Sequence, residues 1–287
     1  MSRMGDVLAG FHAAWEFESD SVLIRFERGI RTPKLFQALG ERRIPLEAIA
    51  AVTLTQGKRG TVVLRAEPRP GADPLMEAAA GQLKEACDPY RLVLPAERET
   101  LAEYYADELR AQLTEDDSPA ERYLVAPPEA PLQFKAYDAK ASFDGKSVSF
   151  RWFWTGASSA KWKAGDQSFP VADLSGVEWR SPEVFEGHLR LLSRDADGGS
   201  PPQADQDPAS VVFGLGYGPV HESLPFAAAV LAAVRSAGSA GALPAGGARR
   251  DPADIADRIR HLGELHEAGL VTDEEFSAKK AELLAEL

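Results

Sequence analysis

Few stretches of this chain have residue types and spacings that could do chemistry, and spacing argues against each. "GLGYGP" (Gly214 to Pro219) lies between a strand-like and a helix-like stretch, where backbone N–H groups can cradle phosphate. The third glycine of a dinucleotide fingerprint would fall at Pro219, and no acidic partner follows about 20 residues on. A turn is the better reading. "DADGG" (Asp195 to Gly199) begins like a calcium loop, but its twelfth position is Gln206, where such a loop needs a bidentate Glu. His261 and His266 are five apart and do not share a helix face as a metal pair would. His12, His188 and His221 have no partners at metal spacing. Cys87 adjoins Asp88, which raises a thiol pKa rather than activating it. No Gly-x-Ser-x-Gly is present, and no nucleophile can be paired with a base. The sequence predicts a protein without catalytic residues, metal or cofactor.

One stretch does stand out: "FRWFWTGASSAKWK" (Phe150 to Lys163). In a strand of period two, Phe150 and Trp152 point inward and Phe153 outward. Trp154 follows, and Trp162 is flanked by Lys161 and Lys163. Aromatic residues with local positive charge suit a binding patch. Phe153, Trp154, Lys161, Trp162 and Lys163 are its candidate residues. Packing of the same aromatics between two halves of the molecule is the other reading, and both stay open at this point.

The elements that must position these residues come twice. "GFHAAWEFESDSVLIRFERG" (Gly10 to Gly29) matches "AYDAKASFDGKSVSFRWFWTG" (Ala136 to Gly156), with Phe11 over Tyr137, Phe17 over Phe143 and Arg25 over Arg151. Pro45, Ile49 and Val52 match Pro170, Leu174 and Val177. "GTVVLRAE" (Gly60 to Glu67) lies over "GHLRLLSR" (Gly187 to Arg194), and "DPYRLVL" (Asp88 to Leu94) over "DPASVVF" (Asp207 to Phe213). Blocks kept in one order indicate duplication. Val22, Ile24 and Phe26, and again Val148, Phe150 and Trp152, alternate with polar residues as half-buried strands do. About six strands per unit are expected. Each unit closes with a helix, one near Glu97 to Leu113 with a Leu101–Tyr105–Leu109 stripe, the other beginning near Ser223 with Phe226, Val230 and Val234. The expected class is α+β: two tandem antiparallel barrel or sandwich domains, each capped by a C-terminal helix. They span 5–115 and 132–236, with a proline-rich extended connector at 116–131. A Gly/Ala-rich linker at 237–251 leads to a helical hairpin at 252–287.

The hairpin carries Ile259, Leu262 and Leu265 before Gly269, a C-cap candidate, and Leu270, Phe276, Leu283 and Leu284 after it. Thr272 and Glu275 have capping-box spacing. Helices this short are marginal alone, so their stripes predict a partner or a second copy of the chain. The net charge is −12, with ten Asp/Glu against four Lys/Arg in 251–287. That balance argues against non-specific nucleic-acid binding. The N-terminal stretch has no apolar run long enough for a signal peptide, and the longest apolar run, Leu224 to Val234, is about half a membrane span, so a soluble cytoplasmic protein without a transmembrane segment is expected.

The pattern of Leu262, Leu265, Gly269, Leu270, Thr272, Glu275, Phe276, Lys279, Lys280 and Leu283 closely resembles the short C-terminal (SHOCT) domain family. That resemblance implies an oligomerisation or protein-interaction appendage on bacterial proteins, without catalytic residues. The duplicated body resembles the bacterial domain of unknown function 4429. It implies a pleckstrin-homology-like barrel and brings no activity with it. The expected function is a non-catalytic scaffold or adaptor, with a small-molecule or lipid-headgroup module on the barrel face as the alternative.

Overall fold

Alternation of apolar and polar residues builds the same arrangement twice. The computed structural model describes residues 6–113, 118–195, 201–214 and 221–241. In the first repeat β1 (Asp6–Ala9), β2 (Ala13–Phe17), β3 (Ser21–Phe26) and β4 (Glu41–Pro45) form one antiparallel sheet in chain order. The short α1 (Lys34–Leu39) carries the chain from β3 to β4. A second sheet holds β5 (Ile49–Gln56), β6 (Thr61–Pro68) and β7 (Arg91–Pro95), with α2 (Pro74–Ala79) between the last two and α3 (Glu99–Gln112) after them. The second repeat follows suit. Its four-stranded sheet is β8 (Leu132–Lys135), β9 (Ala139–Phe143), β10 (Ser147–Trp152) and β11 (Gln167–Pro170), with α4 (Ser159–Ala164) before β11. Its three-stranded sheet is β12 (Leu174–Arg180), β13 (His188–Ser193) and β14 (Ser210–Val212), and α5 (Ser223–Gly241) closes it.

Each repeat thus has seven strands rather than six, in two open sheets. The expected barrel does not close among the described residues. Within a repeat the two sheets meet where a hairpin of the first touches the last strand of the second. Phe11 N–H donates to the Val93 carbonyl at 2.7 Å, and Tyr137 N–H to Val212 at 3.0 Å. The turn before β10 is built by Asp144, whose carboxylate accepts the N–H groups of Lys146 and Ser147 at 2.8 and 2.7 Å. Those N–H groups hold its carboxyl below the usual range. Gly145 completes the turn at φ 97°, a conformation that favours glycine.

The pleat reading holds. Val22, Ile24, Phe26, Val148, Phe150 and Trp152 are buried, while Arg25 and Arg151 face water. In α3 the stripe is displaced: Leu101 is exposed, and Ala102, Tyr105, Ala106 and Leu109 are the buried face. One block of the repeat is also displaced. Thr53 pairs with Arg65, and Glu178 with Arg190, so Arg65 corresponds to Arg190. The glycine-over-glycine match is two residues out of register: the two hairpins have equal length, Thr55 pairing with Val63 and Arg180 with His188, and Gly60 and Gly187 stand at different places in them.

The two repeats share their packing. Leu35, Leu75, Ala78 and Ala79 of the first repeat lie in one buried cluster with Phe150, Trp179, Phe226 and Val230 of the second. Gln82 donates to the Trp179 carbonyl at 2.9 Å and accepts the Ser181 N–H at 3.0 Å. Arg235 on α5 donates to the carbonyls of Gly71, Ala120 and Glu121. The connector is part of this body rather than a free spacer. Ala120 and Val125 are buried, and Ala120 N–H donates to Pro70 at 2.8 Å. The described residues up to Gly238 accordingly form one compact unit. The expected hairpin at 252–287, with Ile259, Leu262, Leu265, Leu270, Phe276, Leu283 and Leu284, lies outside the described residues. So do the linker beyond 241 and most of Asp195–Gly199 and Gly214–Pro219. No helix among the described residues is long and apolar enough to cross a membrane.

A shared core makes a thermodynamic demand. Ile24→Ala in the first repeat and Phe150→Ala in the second should each cost about 2–5 kcal/mol through lost transfer and cavity energy. Both should shift one common transition in urea, followed by circular dichroism and tryptophan fluorescence. Two separable transitions, each moved by only one substitution, would show that the repeats fold independently.

Candidate functional site

The two repeats diverge on the outer face of the first sheet. Strand pairing sets Ala9 opposite Ala14, Ala14 opposite Arg25, and Arg25 opposite Glu41 in the first repeat. Arg25 also reaches Glu16 at 3.3 Å, so its charge is answered on two sides. The corresponding row of the second repeat is Lys135 opposite Lys140, and Lys140 opposite Arg151. Like charges directly opposed across antiparallel strands destabilise a sheet. None of the three side chains has an ion-pair or hydrogen-bond partner among the described residues. Glu222 borders an adjoining depression with Lys135 and Lys140, beyond ion-pair distance.

Over this row lies an open depression of about 690 Å³, lined by Lys135, Tyr137, Lys140, Arg151, Phe153, Trp154 and Trp162 among others. Trp154 is 78% exposed and Trp162 49%, and their rings meet edge to face at 5.1 Å. Phe153 is half-buried at the wall, and Lys163 is exposed. These aromatics are therefore not packed between the repeats. They stand on the surface of one repeat beside unanswered positive charge.

Lys161 corrects the sequence reading. It is fully buried, and its Nζ donates to Asp138 Oδ2 at 2.6 Å while lying 5.1 Å from the centre of the Trp152 ring. Burial pushes the Asp138 carboxyl up and the Lys161 ammonium down; their contact opposes both shifts. Asp138 Oδ1 also accepts the Val212 N–H at 3.0 Å. In the first repeat the corresponding positions are Phe36, His12 and Phe26, and the Phe26 and Phe36 rings stack at 4.6 Å. An apolar plug has been exchanged for an ionic one. Helical spacing explains the misreading: Lys161 and Lys163 flank Trp162 in sequence, but adjacent residues on a helix do not share a face. Lys135, Lys140 and Arg151 are the residues missed as a group. The alternation in "FKAYDAKASF" puts Lys135 and Lys140 outward, but only pairing register shows that they meet.

A second depression, of about 570 Å³, lies beside the hairpin between β12 and β13 and shares Tyr137 with the first. Its ionic groups are mostly engaged. Arg190 pairs with Asp207 and Glu178 at 3.0 and 3.1 Å. The buried triad of the first repeat is engaged too: Arg42 pairs with Asp73, and Tyr90 donates to Asp73 at 2.6 Å. Burial pushes the Tyr90 phenol well above its usual value. No group of three or more metal-ligating side chains occurs among the described residues.

A family model described as "Domain of unknown function (DUF4429)" matches residues 15–110 and again 141–231, and one described as "Short C-terminal domain" matches 257–284. No curated protein matches the chain.

Because Asp138 and Lys161 satisfy one another, removing one should be worse than removing both. Lys161→Met alone should cost about 3–5 kcal/mol by stranding a buried carboxylate. Adding Asp138→Asn should recover part of that loss. A double-mutant cycle by chemical denaturation checks it, and an additive result would mean the pair does not couple.

Proposed function

The chain belongs to the family described as "Domain of unknown function (DUF4429)", present as two segments ahead of a Short C-terminal domain, and on that premise we propose that it is a non-catalytic cytoplasmic adaptor. Its body recognises an anionic small molecule or headgroup on the outer face of β8, β9 and β10. Residues 252–287 bind a protein partner or a second copy of the chain. The observation that carries the reading is the row Lys135–Lys140–Arg151, unneutralised where the first repeat has Ala9, Ala14 and an Arg25 held by Glu16 and Glu41. A sheet that sets like charges opposite one another gives up stability, and an anion spanning the row returns it by charge-assisted hydrogen bonds. The non-catalytic reading is supported by the buried ionisable clusters, which are closed on themselves and serve packing. The order of a four-stranded sheet, a three-stranded sheet and a closing helix supports a pleckstrin-homology-like fold for each repeat.

Inorganic tripolyphosphate is a suitable probe, followed by intrinsic tryptophan fluorescence at low salt. It should bind the full chain, weaken as salt rises, and be lost in Lys140→Glu and Arg151→Glu. Arg25→Glu in the first repeat should leave binding unchanged. Equal binding by the Arg151 and Arg25 variants would sink the assignment. The tail is tested separately. Leu262→Asp with Phe276→Asp should mimic removal of residues 242–287 in sedimentation and partner capture, since an unpaired charge is not buried in a helical seam.

A further inference from the structure

We propose that the cationic face of the second repeat docks on an anionic lipid bilayer, with Trp154 and Trp162 entering the headgroup layer. The inference rests on the anion-binding reading and names its occupant. The indoles supply the argument. Trp154 and Trp162 are the exposed tryptophans of the chain's described surface, and they stand in contact with each other. Both lie on the crossover from β10 to β11. The corresponding crossover of the first repeat has Arg28 and Gln37 at those places, and Gln37 there donates to the carbonyls of Gly29 and Thr32. So where the first repeat closes its crossover with Gln37, the second sets two amphipathic rings in water. Indoles favour the boundary between headgroups and acyl chains.

Charge complementarity points the same way. The whole chain carries −12, so an anionic surface repels it at long range. Screening confines that repulsion to about 8–10 Å at ordinary salt. Within that distance the docking face presents Lys135, Lys140 and Arg151. Each cation near such a membrane adds about fivefold in affinity, so three together add roughly a hundredfold. The depression is open, which suits a layer of headgroups. Single-stranded nucleic acid also combines cations with aromatics. Here the indole planes cross at 88°, so the pair presents an edge rather than parallel platforms for successive bases.

The test uses the full chain, with vesicles of phosphatidylcholine alone and of phosphatidylcholine mixed with phosphatidylglycerol. Co-sedimentation should be seen only with phosphatidylglycerol and should fall as salt rises. Changing Lys135, Lys140 and Arg151 together to Ala should weaken it roughly a hundredfold. Trp154→Ala with Trp162→Ala should weaken vesicle binding by at least tenfold, and tryptophan emission should shift to the blue only when those two residues are present. All positions are on the surface, and unchanged circular dichroism confirms that the variants fold. Tripolyphosphate binding without vesicle binding would overturn the bilayer proposal and keep the anion reading; loss of both would overturn both. Vesicle binding indifferent to the tryptophans, or a preference for a single-stranded oligonucleotide over vesicles, would also overturn it.

Discussion

An arginine held against an aspartate closes the three-stranded sheet of each repeat, and the remaining architecture depends on that closure. Arg65 Nε donates to Asp88 Oδ2 at 3.0 Å, and Arg190 Nε to Asp207 Oδ2 at 3.0 Å. Each aspartate uses its other oxygen to accept a backbone N–H two residues on, from Tyr90 or Ala209. The chain has left the sheet for a long excursion after β6 or β13, and this contact marks where it returns. Fixing that point sets the register of β7 and β14, and β7 and β14 receive the bridges from the first sheet at Val93 and Val212. Charge-assisted hydrogen bonds suit the task because they are directional as well as strong.

On that common frame the two repeats have diverged in opposite senses. The first answers its charges internally: Arg25 between Glu16 and Glu41, and Arg42 against Asp73 and Tyr90. The second leaves a row of cations unanswered on its outer face and buries an ion pair beneath its crossover. The first repeat's α2 packs against the second repeat's core.

How much of this was legible follows from what each signal encodes. Period-two alternation encodes burial, so Val22, Ile24, Phe26, Val148, Phe150 and Trp152 could be assigned to the core from sequence. Block order encodes duplication, and the tandem arrangement was legible for that reason. Closure and cross-strand neighbours are set by pairing register, which no local pattern contains. A closed barrel was therefore expected where the sheets stay open. The Gly60–Gly187 match was drawn two residues out, and Arg65 and Arg190 were not recognised as one position. The cation row escaped for the same cause, since Lys135, Lys140 and Arg151 are separated in sequence and joined only by register. The buried Lys161 escaped because a lysine beside an exposed tryptophan looks like a surface charge until its aspartate is located.

Lys161 nevertheless belongs to the site by what it holds in place. It is anchored by Asp138, and the same carboxylate takes the Val212 N–H of β14. The backbone carbonyl of Asp138 accepts the N–H of Phe153, the residue that begins the aromatic crossover. One buried aspartate therefore ties together the last strand, the start of the crossover and the helix bearing Trp162. The rings at the surface are attached to fixed backbone at both ends of the crossover. A ligand or membrane meeting them has less chain entropy to remove than it would with a free loop. A buried ion pair is a poor way to gain stability, but here it fixes the position of exposed groups, which the stacked Phe26 and Phe36 rings of the first repeat are not required to do.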